Sequence, residues 1–328
     1  MPKWLKKYEL LRRVEFTLYA LFGVENILFF FFLLDFNNYK TDNSIIVYFI
    51  SMVIGIILFY TGIKKIFRFK AEIENIKISS ILYLQCDPER FIKQVEPAVT
   101  YIGNGRLTWY SQTASELSLK TSLATAYMLN GDCEKAIALF KDVYLHSEYN
   151  KNSNGMLYYL HNLIIAYITN NDVKNVKKYL FDYEQALKDT NSSKNDSQFF
   201  IDSLTEMKYR LNLICGNTAD AAEYYEGLLN SEPNMLITYR TTIYWLLANI
   251  YRIEGREEQE IDCLKKAAEL GYNLFTAQKA RQILKDKGIT VKNMPIAPVE
   301  LPKVKYIKPL LCIATACLPC IWFIITQF

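Results

Sequence analysis

The stretch ATAYMLNGDCEKAIALF, residues 124–140, places small residues, aromatic residues and one Gly-Asp pair at helical spacing. Gly131 can adopt the left-handed conformation that ends a helix, and Asp132 can cap the helix that follows. Ala124 and Ala136 leave room where two helix backbones approach each other closely. The stretch therefore predicts two antiparallel helices joined by a tight turn.

The same arrangement recurs along the chain. The Ala-Tyr pair at 126–127, followed by Asn and Asp, returns forty residues later at 166–172. Another copy covers residues 241–274, and a fainter one surrounds Gly216. Self-similarity at such a period is typical of stacked-repeat architectures, in which each helix pair buries its apolar side against the next.

The copies resemble tetratricopeptide repeats (TPRs), which are helix-turn-helix units, over roughly residues 115–275. The first copy matches the family pattern at six positions: Leu123, Ala124, Tyr127, Gly131, Ala136 and Phe140. The copy at 241–274 matches at a corresponding set: Leu247, Ala248, Tyr251, Gly255, Leu264 and Ala267. Three positions depart from the pattern: Asn171, Val176 and Glu260. The resemblance implies an all-α, TPR-like helical-repeat solenoid.

The segments beside the copies extend this organisation. Residues 86–99 predict a helix capped by Asp87, with Pro88 at its first position, and residues 276–288 predict a polar-faced helix that closes the stack. We therefore assign a TPR-like helical domain to residues 71–288. Residues 289–308 contain three prolines and predict an extended tether.

Three apolar runs have the length that a helix needs to cross a bilayer, namely 16–34, 45–63 and 309–326. The first two predict an N-terminal transmembrane hairpin over residues 16–63, and the third a C-terminal transmembrane helix. Lys and Arg cluster on one side of all three runs, which the positive-inside rule makes cytoplasmic. We therefore expect an integral plasma-membrane protein with a basic cytoplasmic N-terminus at 1–15, a cytoplasmic repeat domain and a C-terminus outside.

The charged residues are also distributed differently between the repeat domain and the apolar runs with their flanks. Residues 71–290 contain 24 Lys and Arg against 28 Asp and Glu, whereas the remaining residues contain 14 against 6. The formal net charge of +4 therefore comes from the flanks of the apolar runs, where we expect contact with membrane lipids. The middle lacks the basic surface that phosphate binding requires, so we expect no nucleic-acid partner.

The sequence offers few residues for catalysis. Its two histidines, His146 and His161, have no metal-ligand companion at helical spacing, and neither a phosphate loop nor a dinucleotide fingerprint is present. We therefore expect no enzyme activity, no cofactor and no metal. The pair Cys317 and Cys320 has the spacing of a redox motif, but it lies in an apolar run, where the intervening proline only kinks a helix.

Glu25 is the intramembrane polar candidate, because a carboxyl group within an apolar run is costly to bury. It either serves an ion path or hydrogen bonds to a hydroxyl of another span, such as Ser51, Thr61 or Thr315, as a packing contact.

The first helices of the copies predict the binding face, since a stacked solenoid presents them toward its groove. We expect six partner contacts there: Tyr158, His161, Asn162, Ile165, Thr121 and Thr125. Tetratricopeptide domains that clamp a peptide carboxylate carry Lys, Arg and Asn along this helix. The set here contains neither Lys nor Arg, so we do not expect a carboxylate clamp, and its tyrosine suits an apolar or mixed helical ligand.

These observations predict a membrane-anchored scaffold or adaptor that binds a protein or peptide on the cytoplasmic side. The alternative is a membrane enzyme or transporter subunit that uses Glu25 or the Cys317/Cys320 pair, with the repeats regulatory.

Overall fold

The computed structural model describes residues 6–7, 10–11, 13–24, 42–103, 112–146, 153–188, 194–232 and 234–294 of the 328-residue chain. All regular secondary structure in these residues is helical, which confirms the all-α fold class. The helices, in chain order, are α1 (residues 13–24), α2 (Asp42–Tyr83), α3 (Pro88–Gly103), α4 (Gln112–Leu129), α5 (Cys133–His146), α6 (Ser153–Thr169), α7 (Val173–Lys188), α8 (Lys194–Ile214), α9 (Ala221–Ser231), α10 (Ile237–Ile253), α11 (Glu257–Leu270) and α12 (Phe275–Asp286).

The chain divides into two compact units. The first comprises residues 1–77 and 300–328, and the second comprises residues 78–299. In the second unit, most successive helices pack on one another, most closely within the pairs α4 and α5, α6 and α7, and α10 and α11, whereas α8 and α9 make little contact. The repeat-patterned middle of the sequence therefore lies within the second unit.

Four helix pairs of the second unit are joined by the same kind of turn. Each turn has a residue with a positive φ just after its first helix; these are Gly131 at 89°, Asn171 at 55°, Gly216 at 82° and Gly255 at 70°. The next backbone amide donates to a carbonyl five residues earlier; these bonds are Asp132 to Tyr127 at 2.8 Å, Asp172 to Tyr167 at 3.0 Å, Asn217 to Asn212 at 2.9 Å and Arg256 to Tyr251 at 2.8 Å. The turn before α9 has a second residue with a positive φ, Asp220 at 59°. The left-handed conformation predicted for Gly131 is confirmed.

The residue five positions after each left-handed residue is buried. Ala136, Val176 and Ala221 are fully buried there, and Glu260 is nearly so. A small or short side chain lets the second helix of a pair approach the first closely. The burial of Ala136 agrees with the close helix contact that the sequence predicts at this residue.

The start of the last helix, α12, contacts segments near the beginning of the second unit. The backbone amide of Asn273 donates to the carbonyl of Cys86 at 3.1 Å, and Cys86 packs in one apolar cluster with Leu274 and Ala277. At Gly131, an added Cβ would lie 2.6 Å from the ring of Phe275. The start of α12 therefore packs on the turn before α3 and on the turn between α4 and α5, in addition to its contact with α11.

In the first unit, α1 packs on α2 through apolar side chains. The rings of Phe22 and Phe59 stack with centroids 3.7 Å apart, and Ile63 and Phe67 complete a small buried cluster. α2 is a continuous helix of 42 residues that includes the second apolar run of the sequence.

The predicted membrane location is corrected by the structure. Within the described part of the chain, no helix is long and apolar enough to cross a membrane. A crossing helix needs about 20 consecutive apolar residues. The described part of α1 supplies residues 16–24 of the first run, the described side chains of α2 begin at Ile50, and the third run is not described. On this finding the plasma-membrane location is wrong, together with the sides assigned to the termini and the repeats.

Several sequence predictions fall on residues outside the described ranges. These are the C-terminal run at 309–326, the N-terminal residues 1–5 and most of the tether. Residues 289–294 of the tether are described and contain no helix, and the amide of Met294 donates to the carbonyl of Glu269 at 2.9 Å. The described start of the tether therefore runs back along α11.

The contact at Gly131 generates a prediction. Gly131→Ala places a Cβ at a positive φ and against the Phe275 ring, and it should lower the free energy of unfolding by roughly 2–4 kcal/mol. Gly255→Ala, at a similar φ with open space around it, should cost only about 1 kcal/mol. Denaturant unfolding of the full chain measures both values. Equal losses for the two variants would contradict the contact between Gly131 and Phe275.

Candidate functional site

The predicted contact residues on α6 lie on one stripe of that helix. Tyr158 is 46% exposed, whereas His161, Asn162 and Ile165 are partly exposed. The side-chain amide of Asn162 donates to the carbonyl of Tyr158 at 3.0 Å, so it is already satisfied within the helix. Tyr158 is therefore the most available of the four to a partner.

Two phenylalanines of α8 lie beside Tyr158. The ring of Phe199 is 5.7 Å from that of Tyr158 and 48% exposed, and the ring of Phe200 is 5.0 Å away, edge-on and buried. The carbonyl of Phe200 accepts a hydrogen bond from the buried Tyr183 hydroxyl of α7 at 3.1 Å. We call Tyr158, Phe199 and Phe200 the aromatic patch. Two of its rings face solvent and the third is fixed in the core.

Thr121 and Thr125 occupy α4 and are partly exposed. Their hydroxyls donate to the carbonyls of Leu117 at 2.8 Å and of Thr121 at 3.0 Å, within their own helix. Over the described ranges, no hydrogen bond joins either threonine to the predicted contact residues of α6. The structure thus brings the four α6 residues together and leaves the two threonines on a separate helix.

A buried ion pair lies on α8, one to three turns beyond the aromatic patch. Arg210 donates through Nε and Nη2 to one carboxylate oxygen of Glu206, at 2.9 and 2.5 Å, and both side chains are buried. Tyr239 of α10 donates its hydroxyl to the other oxygen at 2.9 Å. Burial raises the pKa of Glu206, but Arg210 and the hydrogen bonds outweigh it and hold that pKa below its ordinary value. The carboxylate therefore stays ionised and ties α8 to α10.

His161 approaches this ion pair from α6. Burial lowers the pKa of His161 to about 4, with Glu206 opposing the shift and Arg210 adding to it. Its Nδ1 atom and the hydroxyl of the fully buried Tyr225 make no hydrogen bond to any described residue. At neutral pH His161 is therefore uncharged. Part of the residue is exposed, but its Nδ1 atom is buried, which limits its use as a partner contact.

Of the four described cysteines, Cys86, Cys133 and Cys263 are buried and Cys215 is exposed. Burial raises the pKa of Cys86 to about 12 and that of Cys263 to about 11, so both remain thiols at neutral pH. Among the described residues, no three His, Cys, Asp or Glu side chains are placed to hold a metal ion. Glu25 and the pair Cys317 and Cys320 lie outside the described ranges.

Sequence reasoning missed the α8 half of this site. Phe199, Glu206 and Arg210 lie in the faint copy around Gly216, where the repeat pattern is weakest. The Glu-Arg spacing of four residues was visible, but such spacing is also common on solvated helices. Burial of the pair depends on the neighbouring helices α6, α9 and α10, which no local pattern specifies.

Comparison of the chain with protein-family models, with curated proteins and with solved structures finds no match in any of the three. Functional assignment therefore depends on the geometry of the described residues.

The position of His161 predicts a pH dependence of stability. The unfolded chain binds a proton at His161 near its ordinary pKa of 6.5, whereas the folded chain does so only near 4. Stability should therefore fall as the pH drops from about 6.5 to 4, by up to about 3 kcal/mol from this group. His161→Gln should flatten that part of the stability profile, measured by urea unfolding across the pH range.

His146, the other histidine of the chain, provides the control variant for His161→Gln. His146→Gln retains His161 and should keep the acid-dependent loss. A His161→Gln profile parallel to that of the wild type above pH 4.5 would contradict the buried, neutral state of His161.

Proposed function

We propose that this chain is an adaptor in which a TPR-like helical-repeat solenoid binds a protein or peptide partner through the aromatic patch. The observation that carries the proposal is the exposure of Tyr158 of α6 and Phe199 of α8 next to each other, with the buried ring of Phe200 against Tyr158. The following contacts support it.

The repeated turn supports the solenoid part of the proposal. The same left-handed residue and the same hydrogen bond recur at Gly131, Asn171, Gly216 and Gly255. A buried tyrosine precedes three of these turns; the three are Tyr127, Tyr167 and Tyr251. One structural unit used four times at intervals of 40, 45 and 39 residues is the arrangement expected of a stacked helical repeat.

The aromatic patch has the properties of a binding hot spot. Tyrosine and other aromatic residues are enriched at the few interface positions that carry most of the binding energy, because they bury a large area with little loss of side-chain freedom. The edge-on contact with buried Phe200 restricts the Tyr158 ring before any partner arrives. A rigid aromatic surface loses less entropy on binding than a mobile one.

The polar residues next to the patch define the kind of partner. His161 is neutral at neutral pH, and the Glu206 carboxylate is satisfied by Arg210 and Tyr239. The described part of this face therefore offers apolar rings and polar groups that are hydrogen bonded within the fold, and we propose no carboxylate-binding cation cluster among these described residues. An amphipathic helix that lays its apolar residues on Tyr158 and Phe199 fits this chemistry.

Site-specific crosslinking tests the proposed surface. A photoreactive phenylalanine replacing Tyr158 in the full-length chain should give discrete covalent adducts with a co-purifying polypeptide on irradiation. The same residue replacing Phe181, which is 60% exposed on α7, should give no such adduct. Mass spectrometry of the adducts identifies the partner and the crosslinked residue.

Both positions are aromatic and exposed, so the comparison separates specific binding of the partner from nonspecific contact with exposed aromatic residues. Adducts of the same partner from position 181 alone, or from neither position while the partner co-purifies, would contradict binding at the aromatic patch.

A further inference from the structure

One side of α2 in the first unit is apolar and exposed. The other side packs on α1 through buried Phe59, Ile63 and Phe67. Along the exposed side, five residues at helical spacing have side chains that are 38–59% exposed, and we call them the apolar stripe: Ile50, Val53, Ile54, Ile57 and Tyr60. A contiguous exposed surface of large apolar side chains is uncommon on a monomeric protein and marks a site of interaction.

α1 and α2 run antiparallel. The ring of Phe22, near the end of α1, stacks on the ring of Phe59. Lys7, which precedes α1, forms an ion pair with Glu74 at 2.6 Å. The end of α1 therefore lies beside the apolar stripe, and the residues before α1 lie beside the later part of α2.

The end of α1 extends the apolar surface. Leu21 and Val24 are 61% and 54% exposed. The sequence contains no charged residue at 16–24 or at 45–63. The carboxylate of Glu15, just before the first of these segments, is buried and accepts a hydrogen bond from the Tyr19 hydroxyl at 3.0 Å. This end of the helix pair therefore presents apolar side chains from both helices.

Cations lie beyond the apolar stripe, toward the other end of the helix pair. Five exposed lysines are placed there: Lys6, Lys7, Lys64, Lys65 and Lys70. Lys64 continues the line of the stripe, and its Nζ atom lies 5.4 Å from the centroid of the Tyr60 ring. Of the acids at this end, Glu74 is paired with Lys7 and Glu72 is exposed, so cations outnumber acids among the described residues.

The order of these groups matches the layers of a lipid surface. Aliphatic side chains suit the acyl region, tyrosine suits the level of the headgroups, and lysine extends its charged end toward lipid phosphates. The stripe from Ile50 to Tyr60 extends about 15 Å along the helix, at about 1.5 Å for each residue. That length is about half of the roughly 30 Å hydrocarbon core of a bilayer. The charge on one border of the apolar surface therefore favours an anionic lipid surface over a second apolar protein surface.

We propose that the apolar stripe, with Leu21 and Val24, docks on the surface of an anionic lipid bilayer. The aliphatic side chains enter one leaflet, and the lysines beyond Tyr60 contact the phosphates of the headgroups. This contact requires no helix that crosses the bilayer, so it differs from the membrane-spanning prediction corrected above. It is independent of the proposed adaptor function, because the aromatic patch belongs to the second unit.

Flotation of the purified full-length chain with lipid vesicles tests the surface after detergent removal. One set of vesicles contains phosphatidylcholine alone, and the other contains three parts of phosphatidylcholine to one of phosphatidylserine. The chain should bind the phosphatidylserine vesicles about tenfold more tightly, because the lysines gain anionic partners. Lys64→Gln with Lys65→Gln should reduce this preference.

The apolar contact is tested by Ile54→Ser with Ile57→Ser, which should weaken binding to both sets of vesicles by at least about tenfold. Both residues are exposed, so the helix content measured by circular dichroism should stay the same. The control is Leu236→Ser with Ile253→Ser, a pair of aliphatic residues in the second unit that are 52% and 48% exposed. This control variant should bind vesicles as the wild type does.

Two results would overturn the inference. One is equal vesicle binding by the wild type and the Ile54 and Ile57 variant, or no binding by either. The other is a dimer, seen by sedimentation velocity, that this variant abolishes while vesicle binding is unchanged, because the stripe then contacts a second copy of the chain. Tyr158→Ala should leave vesicle binding unchanged, so failure at the apolar stripe and failure at the aromatic patch are separate results.

Discussion

The left-handed residue at each turn between paired helices is the constraint on which the second unit depends. It ends the first helix and turns the backbone so that the second helix returns along the first, with a buried residue five positions later at the point of approach. Glycine adopts this conformation without strain at Gly131, Gly216 and Gly255, and Asn171 is among the few residues that tolerate it in place of glycine. Three of the four turns join closely packed pairs, namely α4 with α5, α6 with α7 and α10 with α11.

The packing of these helix pairs produces the surface that we propose for binding through the aromatic patch. The first helices of successive pairs become neighbours, which places Tyr158 of α6 beside Phe199 of α8. The buried pair of Glu206 and Arg210, with Tyr239, then fixes α8 against α10. A buried ion pair contributes little net stability but is costly to break on one side only, so it favours one arrangement of these helices. The binding rings therefore stand on helices that have little freedom to shift.

The sequence predicts the features of this fold that depend on neighbouring residues, and it does not predict the contacts between segments that are far apart in the chain. Gly131, the Asp87 cap with Pro88 and the burial of Ala136 depend on residues within one turn or one helix pair, and the structure confirms each. Phe199, Arg210 and the contact between Gly131 and Phe275 depend on segments far apart in the chain. Hydropathy alone did not predict the role of the apolar runs correctly. In their described part, apolar side chains of α1 pack on α2, and no helix there is long and apolar enough to cross a membrane.

The central claim is that a partner polypeptide covers Tyr158 and Phe199. Hydroxyl-radical footprinting of the full-length chain, alone and with its co-purified partner, measures this most directly, because oxidation of each aromatic side chain reports its exposure to solvent. The account predicts that Tyr158 and Phe199 lose reactivity in the complex while Phe181, which is also exposed in the free chain, keeps it. Unchanged oxidation of Tyr158 and Phe199 in a saturated complex would contradict the account.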